Sequence, residues 1–329
     1  MMKKIYYGKA VYNNKEINAV INVLKHESLS LIDGKKVKKL EKLVSKSFGK
    51  KYGLMVNSGS SANLLALSSF DFKKGSEVIT PNLTFSTTVA PIYQLGLTPH
   101  FIGVEENKFI ADPSHIEKCI NKKTVALMIP NLLGNIADWK KINSIAKKYK
   151  LKVIEDAAES IGSFVGKKHT GTYGNIGIFS FNGNKTITTG GGGMVITNNK
   201  SLSDQIRSLS STAKKKHAWN FDYDNIGFNY RLPNINAALG CVQIDRLKDI
   251  VSWKNEKISK EIKNYSNYLK LPDGMISGYY KFIVFDKINN STGKVYDIGC
   301  HKIFKENVKL ENTDWVNNNH WCVPIYYKG

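Results

Sequence analysis

Apolar positions recur along this chain at two different spacings, and the alternation between them predicts its architecture. Residues 14–26 and 36–48 carry apolar side chains every third or fourth position, the spacing of amphipathic helices. Tyr52-Gly-Leu-Met-Val56 is a short apolar run and reads as a buried strand. From Ser60 to Phe70, Ala62, Leu65, Ala66 and Ser69 return to helical spacing. Short apolar runs near 77–80, 99–104, 124–129 and 152–155 read as strands, with helical stretches near 85–95, 113–120 and 138–149 between them. Strands alternating with helices predict an α/β fold with a mostly parallel sheet covered on both faces. Runs near 176–181 and 193–197 complete the sheet, and helices near 234–248 and 252–268 follow. After about residue 270 the pattern breaks into short pieces around Pro272, Gly274 and Gly278. The expected organisation is a large domain over 1–250 and a small C-terminal α/β domain over 251–329.

Composition narrows the classes of function. At 329 residues, 42% hydrophobic and 23% charged, the chain is long enough for a large core and is not of disordered type. No apolar run approaches the roughly 20 residues that span a bilayer. The opening Met-Met-Lys-Lys-Ile-Tyr-Tyr-Gly-Lys lacks an apolar signal core, so a cytoplasmic protein without a membrane partner is expected. Cys119, Cys241, Cys300 and Cys322 are scattered and form no Cys-x-x-Cys pair, which argues against a metal centre or a disulfide framework. The formal charge of +21 raises the question of nucleic acid. Only Arg207, Arg231 and Arg246 among the 48 basic residues are arginines, the usual readers of phosphates and base edges, and the lysines are dispersed. No nucleic-acid partner is expected, but the charge suits an anionic small substrate.

Candidate chemistry sits at the ends of predicted strands. Lys185 lies between the strands at 176–181 and 193–197, followed by the run Gly190-Gly-Gly-Gly193. A lysine held among small residues and partly dried can lose its proton and attack a carbonyl. Taken alone, the segment equally describes a surface lysine in a glycine-rich hairpin. Asn57-Ser-Gly-Ser-Ser-Ala-Asn63 spans a strand-to-helix turn, where Gly59 permits the turn and Ser60 and Ser61 offer N–H groups and hydroxyls. A helix start of this kind suits a phosphate, or is an ordinary serine cap. Asp156, in Val153-Ile-Glu-Asp-Ala-Ala-Glu-Ser160, closes a buried strand at the edge where open α/β sheets place ligands. A carboxylate there needs a cation or donors, and a protonated ring nitrogen would serve, as would a cap on a following helix. Phe85, in Thr80-Pro-Asn-Leu-Thr-Phe-Ser86, can stack on a flat cofactor or join the core. Asn229 and Arg231 stand out as polar positions in Ile226-Gly-Phe-Asn-Tyr-Arg-Leu-Pro233, facing a phosphate, a partner subunit or the helix entry. A Schiff-base lysine, a phosphate cradle, an acid for a pyridine nitrogen and an aromatic stacker on one sheet edge together specify pyridoxal 5'-phosphate.

With these residues the chain resembles the sugar aminotransferases of the DegT/DnrJ/EryC1/StrS type, which have the fold-type-I aminotransferase fold. The resemblance runs from about residue 8 to 250. It rests on Asn57-Ser-Gly-Ser-Ser-Ala, Glu155-Asp-Ala-Ala-Glu-Ser, Gly171-Thr-Tyr-Gly-Asn-Ile-Gly, Phe179-Ser-Phe with Lys185, the glycine run, and Asn229-Tyr-Arg-Leu-Pro-Asn-Ile-Asn-Ala-Ala238. The resemblance implies Lys185 as the Schiff-base lysine and proton shuttle, and Asp156 as partner of the pyridine nitrogen. It also implies phosphate contacts from Ser60, Ser61 and Ser180, stacking by Phe85, and Asn229 reaching the phosphate of a neighbouring subunit, hence a homodimer with shared sites. The implied reaction passes an amino group from L-glutamate to a nucleotide-linked 4-keto-6-deoxyhexose, making an amino sugar for surface polysaccharide. A 3-keto sugar is the alternative substrate. A non-enzymatic cofactor-binding role is a further alternative, as is a dehydratase of the same fold, whose relatives carry histidine in place of the lysine. Two departures stand out: Glu159, near the cofactor's phenolic oxygen, occupies a position where many members carry glutamine, and the C-terminal part is short. His217, Trp219 and Tyr223 form a polar-aromatic loop expected to contact the sugar.

Overall fold

The computed structural model describes residues 8–27, 31–215, 219, 221–294 and 310–325. Helices α1 (Asn14–Asn22) and α2 (Lys35–Ser47) lead into strand β1 (Tyr52–Val56). The alternation then runs α3 (Gly59–Ser68), β2 (Glu77–Pro81), α4 (Ser86–Gln94), β3 (Thr98–Ile102), α5 (Pro113–Cys119), β4 (Thr124–Pro130), α6 (Trp139–Lys148) and β5 (Lys152–Asp156). The short strands β6 (Phe164–Val165) and β7 (Lys168–His169) precede the hairpin of β8 (Ile176–Ser180) and β9 (Gly193–Thr197). Helices α7 (Lys200–Ser210), α8 (Asn234–Asp245) and α9 (Leu247–Glu261) follow. The last described elements are β10 (Met275–Ile276), β11 (Phe282–Val284), a helix over Glu311–Asn318, and β12 (Trp321–Val323).

The main sheet has seven strands in the order β1-β9-β8-β5-β4-β2-β3. The pairs β2–β3, β2–β4, β4–β5 and β5–β8 are parallel, and β9 alone in this sheet runs antiparallel to both its neighbours. Successive side chains point to opposite faces, and both faces are buried. Leu54, Val56, Ile178 and Val195 join a cluster with Leu65 and Ala66 of α3 and Ile206 of α7. Met55, Phe179, Met194 and Ile196 join the opposite cluster with Leu40 of α2 and Ala237 and Cys241 of α8. Helices α5 and α6 close the far end through Ile116, Ile142 and Ala146, against Ile129 and Val153. These are the two covered faces that the alternating pattern predicts.

Three features depart from the sequence reading. The helix expected over 252–268 begins at Leu247 and ends at Glu261, with a 3-10 turn at Ile262–Asn264. Helix α7 is missing from the sequence reading although Leu202, Ile206 and Leu209 stand at helical spacing; half of its buried positions (Ser203 and Ser210, beside Ile206 and Leu209) are serine. The irregular region after 270 holds real pairing: β10 joins β6 and β7 in a three-stranded sheet, and β11 pairs with β12. Strands of two or three residues are too short to display a period of two.

Candidate functional site

The carboxyl ends of β1, β2, β4, β5 and β8 lead into one cavity of about 510 Å³, the crevice position at which open α/β sheets take ligands. Its lining includes Asn57, Gly59, Ser60, Asn63, Phe85, Thr88, Asn131, Asp156, Glu159, Ser180, Lys185 and Tyr280.

Asp156 ends β5 and is 5% exposed. Its Oδ2 accepts from Asn63 Nδ2 at 2.9 Å and from Thr88 Oγ1 at 2.8 Å, and its Oδ1 accepts from the Ala158 N–H at 3.1 Å. Burial pushes its carboxyl above the usual range. Hydrogen bonds from Asn63, Thr88 and Ala158, and the nearby charge of Lys185, act against that shift. The direct partners are all neutral, so a cation brought to the cavity side of Oδ1 would relieve the cost of burial. A protonated heterocyclic nitrogen fits this position.

The layer beneath braces that strand end. Glu155 is fully buried and accepts from Asn131 Nδ2 at 2.7 Å and from the N–H groups of Gly171 at 2.6 Å, Tyr173 at 2.7 Å and Gly174 at 3.3 Å. Burial pushes this carboxyl up to about 7, against the pull of those four N–H donors. Asn131 Oδ1 in turn accepts from the Ala137 N–H and from Trp139 Nε1. This network ties the ends of β4 and β5 to the 171–174 loop, which fixes where Asp156 points.

Lys185 sits on the connection between β8 and β9, its side chain 13% exposed. Its Nζ lies 3.2 Å from Glu159 Oε1 and 4.2 Å from the centre of the Tyr280 ring. Glu159 Oε2 accepts from the Leu133 N–H at 3.1 Å. Leu133 adopts a left-handed conformation, φ 62° and ψ 14°, which is uncommon for leucine and is found where surrounding structure enforces it. Asn184 Nδ2 donates to Tyr280 Oη at 3.0 Å, which fixes the ring beside the lysine.

Helix α3 begins at the opposite wall. Ser58 is its N-cap: its Oγ accepts from the Ser61 N–H at 3.0 Å and lies 2.9 Å from Ser61 Oγ. The capping serine is therefore Ser58, while Ser60 and Ser180 line the cavity and Ser61, half turned away, braces Ser58. The first-turn N–H groups of Gly59 and Ser60 precede any intrahelical acceptor and carry the helix's partial positive charge. A Cβ on Gly59 would meet Ser180 Cβ at 2.9 Å, and one on Gly193 would meet the Ser58 carbonyl oxygen at 2.1 Å. Only glycine lets β8 and β9 approach the helix start this closely, and the result is an anion cradle beside two serine hydroxyls.

Phe85 precedes α4 in extended conformation and is 56% exposed on the cavity wall, unlike a core phenylalanine. Asn229 is exposed and lies off the lining, where its Oδ1 accepts from Arg231 Nη2 at 3.4 Å. Tyr223 is exposed and also off the lining, Trp219 is exposed, and His217 lies outside the described residues. Sequence reasoning missed Asn63, Thr88, Asn131 and Tyr280. The first three are polar positions that resemble solvent-facing residues until the fold buries them, and Tyr280 comes from a segment with no legible pattern.

Among the described residues no group of three or more His, Cys, Asp or Glu is arranged to hold a metal, and Cys300 lies outside those residues. None of the described helices is long and apolar enough to cross a membrane.

Comparison with known proteins adds three findings. The model of the DegT/DnrJ/EryC1/StrS aminotransferase family matches residues 11–272. The chain is 38% identical over 238 residues to the GDP-perosamine synthase of Escherichia coli O157:H7, covering 72% of this chain and 65% of that protein's length. It is 30% identical over 293 residues to the GDP-4-keto-6-deoxy-D-mannose 3-dehydratase of Yersinia pseudotuberculosis, covering 80% of this chain and 73% of that one. Among solved structures, Helicobacter pylori PseC, an aminotransferase of pseudoaminic acid biosynthesis, superposes with a TM-score of 0.89 over 98% of this chain and 94% of that one, at 23% identity.

Proposed function

The chain belongs to the DegT/DnrJ/EryC1/StrS aminotransferase family, and from that premise we propose that it is a pyridoxal-phosphate-dependent sugar aminotransferase. One observation carries the reading: Lys185 and the buried carboxylate of Asp156 share a single cavity with the start of α3. When bound, the cofactor supplies an electron sink for negative charge on the substrate carbon that bears the nitrogen. Asp156 would hold the proton of the ring nitrogen. Lys185 would hold the cofactor through its Nζ and, once free, would carry the proton of the substrate carbon. The N–H groups of Gly59 and Ser60, with the hydroxyls of Ser60 and Ser180, would hold the phosphate, and Ser61 secures Ser58 behind them. Phe85 would stack on the ring and limit water there. Glu159 pairs with Lys185 and would meet the cofactor's phenolic oxygen.

The amino donor in this reading is L-glutamate and the acceptor a nucleotide-linked 4-keto-6-deoxyhexose, giving an amino sugar for surface polysaccharide. Relatives named GDP-perosamine synthase support a nucleotide-linked sugar, and Lys185, in place of the dehydratases' histidine, supports amine transfer. A homodimer with shared sites and a cytoplasmic location belong to the same reading. So does a division into a cofactor-binding part over 1–250 and a smaller part over 251–329, with Tyr280 reaching back to Lys185. The same reading assigns His217 and Tyr223 to contacts with the sugar.

The test is the visible absorption spectrum of the purified protein before and after L-glutamate. A band of the lysine-bound cofactor that vanishes with L-glutamate and returns with a keto sugar nucleotide is the expected result, and the nucleotide that restores it names the acceptor. Lys185→Ala should lose both the band and turnover. A protein that shows no band after pyridoxal phosphate is supplied, or a variant that keeps near-native activity, would sink the proposal.

A further inference from the structure

Three consecutive residues on the connection between β8 and β9 are tied to one stretch just before β11. Asn184 Nδ2 donates to Tyr280 Oη at 3.0 Å, Lys185 Nζ lies 4.2 Å from the Tyr280 ring centre, and Thr186 Oγ1 donates to the Gly278 carbonyl at 3.3 Å. Helix α9 grips the same stretch. Asn255 Nδ2 donates to the Ser277 carbonyl at 2.7 Å. Lys254 Nζ donates to the carbonyls of Gly278 at 3.3 Å and Tyr279 at 2.9 Å, and to Thr186 Oγ1 at 3.1 Å. The Gly278 N–H donates to Ser163 Oγ at 2.9 Å, and a Cβ on Gly278 would meet the Ile161 carbonyl oxygen at 2.1 Å, so the stretch is also seated on the 161–163 segment.

An ammonium group carries three donors, and Lys254 gives one to each of these three neutral oxygens. The residue is 7% exposed. Burial, then the charge of Lys281, pushes its pKa down to about 7 from 10.5. A leucine or methionine would fill the space without the cost of burying a charge. What the lysine adds is a bond between two segments, one holding the residue after Lys185 and the other the two residues before Tyr280.

We propose that Lys254 is a positioning residue for Lys185, acting through Thr186 and the 278–280 stretch. The proposal rests on the cofactor reading above. A lysine on a flexible four-carbon stem samples many rotamers unless its surroundings confine it. Here Lys254 fixes the backbone at the next residue, and the Tyr280 ring confines the stem. Attack on a carbonyl needs the nitrogen aligned at about 3–3.5 Å, and a misplacement of about 1 Å costs on the order of 100-fold. Lys254 does not line the main cavity, so it serves the lysine and not the phosphate cradle.

The experiment compares two forms of the cofactor on the full chain freed of cofactor. Pyridoxal phosphate engages both the cradle and Lys185. Pyridoxamine phosphate, which has no aldehyde, engages the cradle alone. In Lys254→Met the Kd for pyridoxal phosphate, read from the visible band of the lysine-bound form, should rise roughly 10- to 100-fold. The Kd for pyridoxamine phosphate, read from protein fluorescence, should stay within about twofold, as for independent sites. Thr186→Val, which keeps the shape and removes the hydroxyl, should show the same split more weakly, and it carries the comparison if Lys254→Met does not fold. An equal rise for both forms would make Lys254 a general brace, and an unchanged Kd for pyridoxal phosphate would mean that it does not place Lys185. Either result overturns the proposal. A wild type that shows no band with pyridoxal phosphate would instead overturn the cofactor reading beneath it.

Discussion

At the scale of single residues, the contrast between Glu155 and Asp156 is instructive. They are adjacent, both buried, and point to opposite sides of β5. Glu155 is surrounded by four N–H donors from its own chain, whereas Asp156 keeps an oxygen turned to the cavity with only one backbone donor. The first carboxylate is a fastener and the second is poised for an external cation. Asp156→Asn is expected to lower kcat by roughly 100-fold or more, on the scale of losing one preorganised electrostatic partner, while thermal stability changes little. An unchanged rate would remove Asp156 from the mechanism. His169 gives a pH signature of its own. It is buried between Phe48 and Phe164, its Nε2 accepts from the Gly162 N–H at 2.8 Å, and its Nδ1 faces the Thr170 carbonyl. Burial pushes its pKa down to about 3 from 6.5, opposed only by the Thr170 bond. Below 6.5 the unfolded chain takes a proton that the folded protein refuses. This contribution to stability is therefore complete above 6.5 and is lost as pH falls toward 3, by about 1.4 kcal/mol per pH unit. Urea unfolding from about pH 7 to about pH 4 should show a steeper acid loss in wild type than in His169→Gln; parallel curves would contradict it.

At the scale of elements, the β8–β9 hairpin and the start of α3 form one unit, held by backbone contact that no side chain can enter. Gly193 and Gly191 separate the two uses of glycine in this unit. A Cβ on Gly193 would collide with the Ser58 carbonyl, whereas one on Gly191 would meet only Asn57 O at 3.8 Å. Gly193→Ala should destabilise by about 1–3 kcal/mol, as overpacking does, and loosen cofactor retention by displacing the helix start. Gly191→Ala should leave the unfolding midpoint nearly unchanged. Equal midpoints for the two variants would mean the approach is not what glycine secures. Most of these elements were legible in the sequence because strands of five to seven residues between amphipathic helices repeat a clear signal. Helix α7 carries the helical spacing at Leu202, Ile206 and Leu209 but with serines at half its buried positions, and β10 to β12 are too short to show alternation.

At the scale of the whole molecule, the exposed apolar residues include Tyr12, Ile17, Ile21 and Leu24 before and along α1 and its continuation, and Trp219, Phe221 and Ile226 in the segment that leads to Asn229. Exposed apolar residues in the segment that leads to an exposed asparagine fit the proposed shared-site dimer, in which Asn229 would serve a partner's cavity rather than its own. Sedimentation should give twice the chain mass of 36.9 kDa. Asn229→Ala should weaken cofactor retention while leaving the dimer intact. A monomeric wild type that still retains the cofactor would refute this arrangement.

The sequence by itself determined the architecture and singled out Lys185 and Asp156, which the fold brings to one cavity. Period and run length encode which faces are buried, and a lysine in a glycine-rich turn or an aspartate closing an apolar strand is conspicuous before folding. Only the tertiary structure decided the company these groups keep. Asn63, Thr88 and Asn131 carry no mark of burial along the chain, Ser58 rather than a later serine caps α3, and Tyr280 reaches Lys185 from nearly a hundred residues away. Contact between such distant positions arises from how the strand order and the C-terminal segment fold back onto one sheet edge, and local spacing holds no record of it.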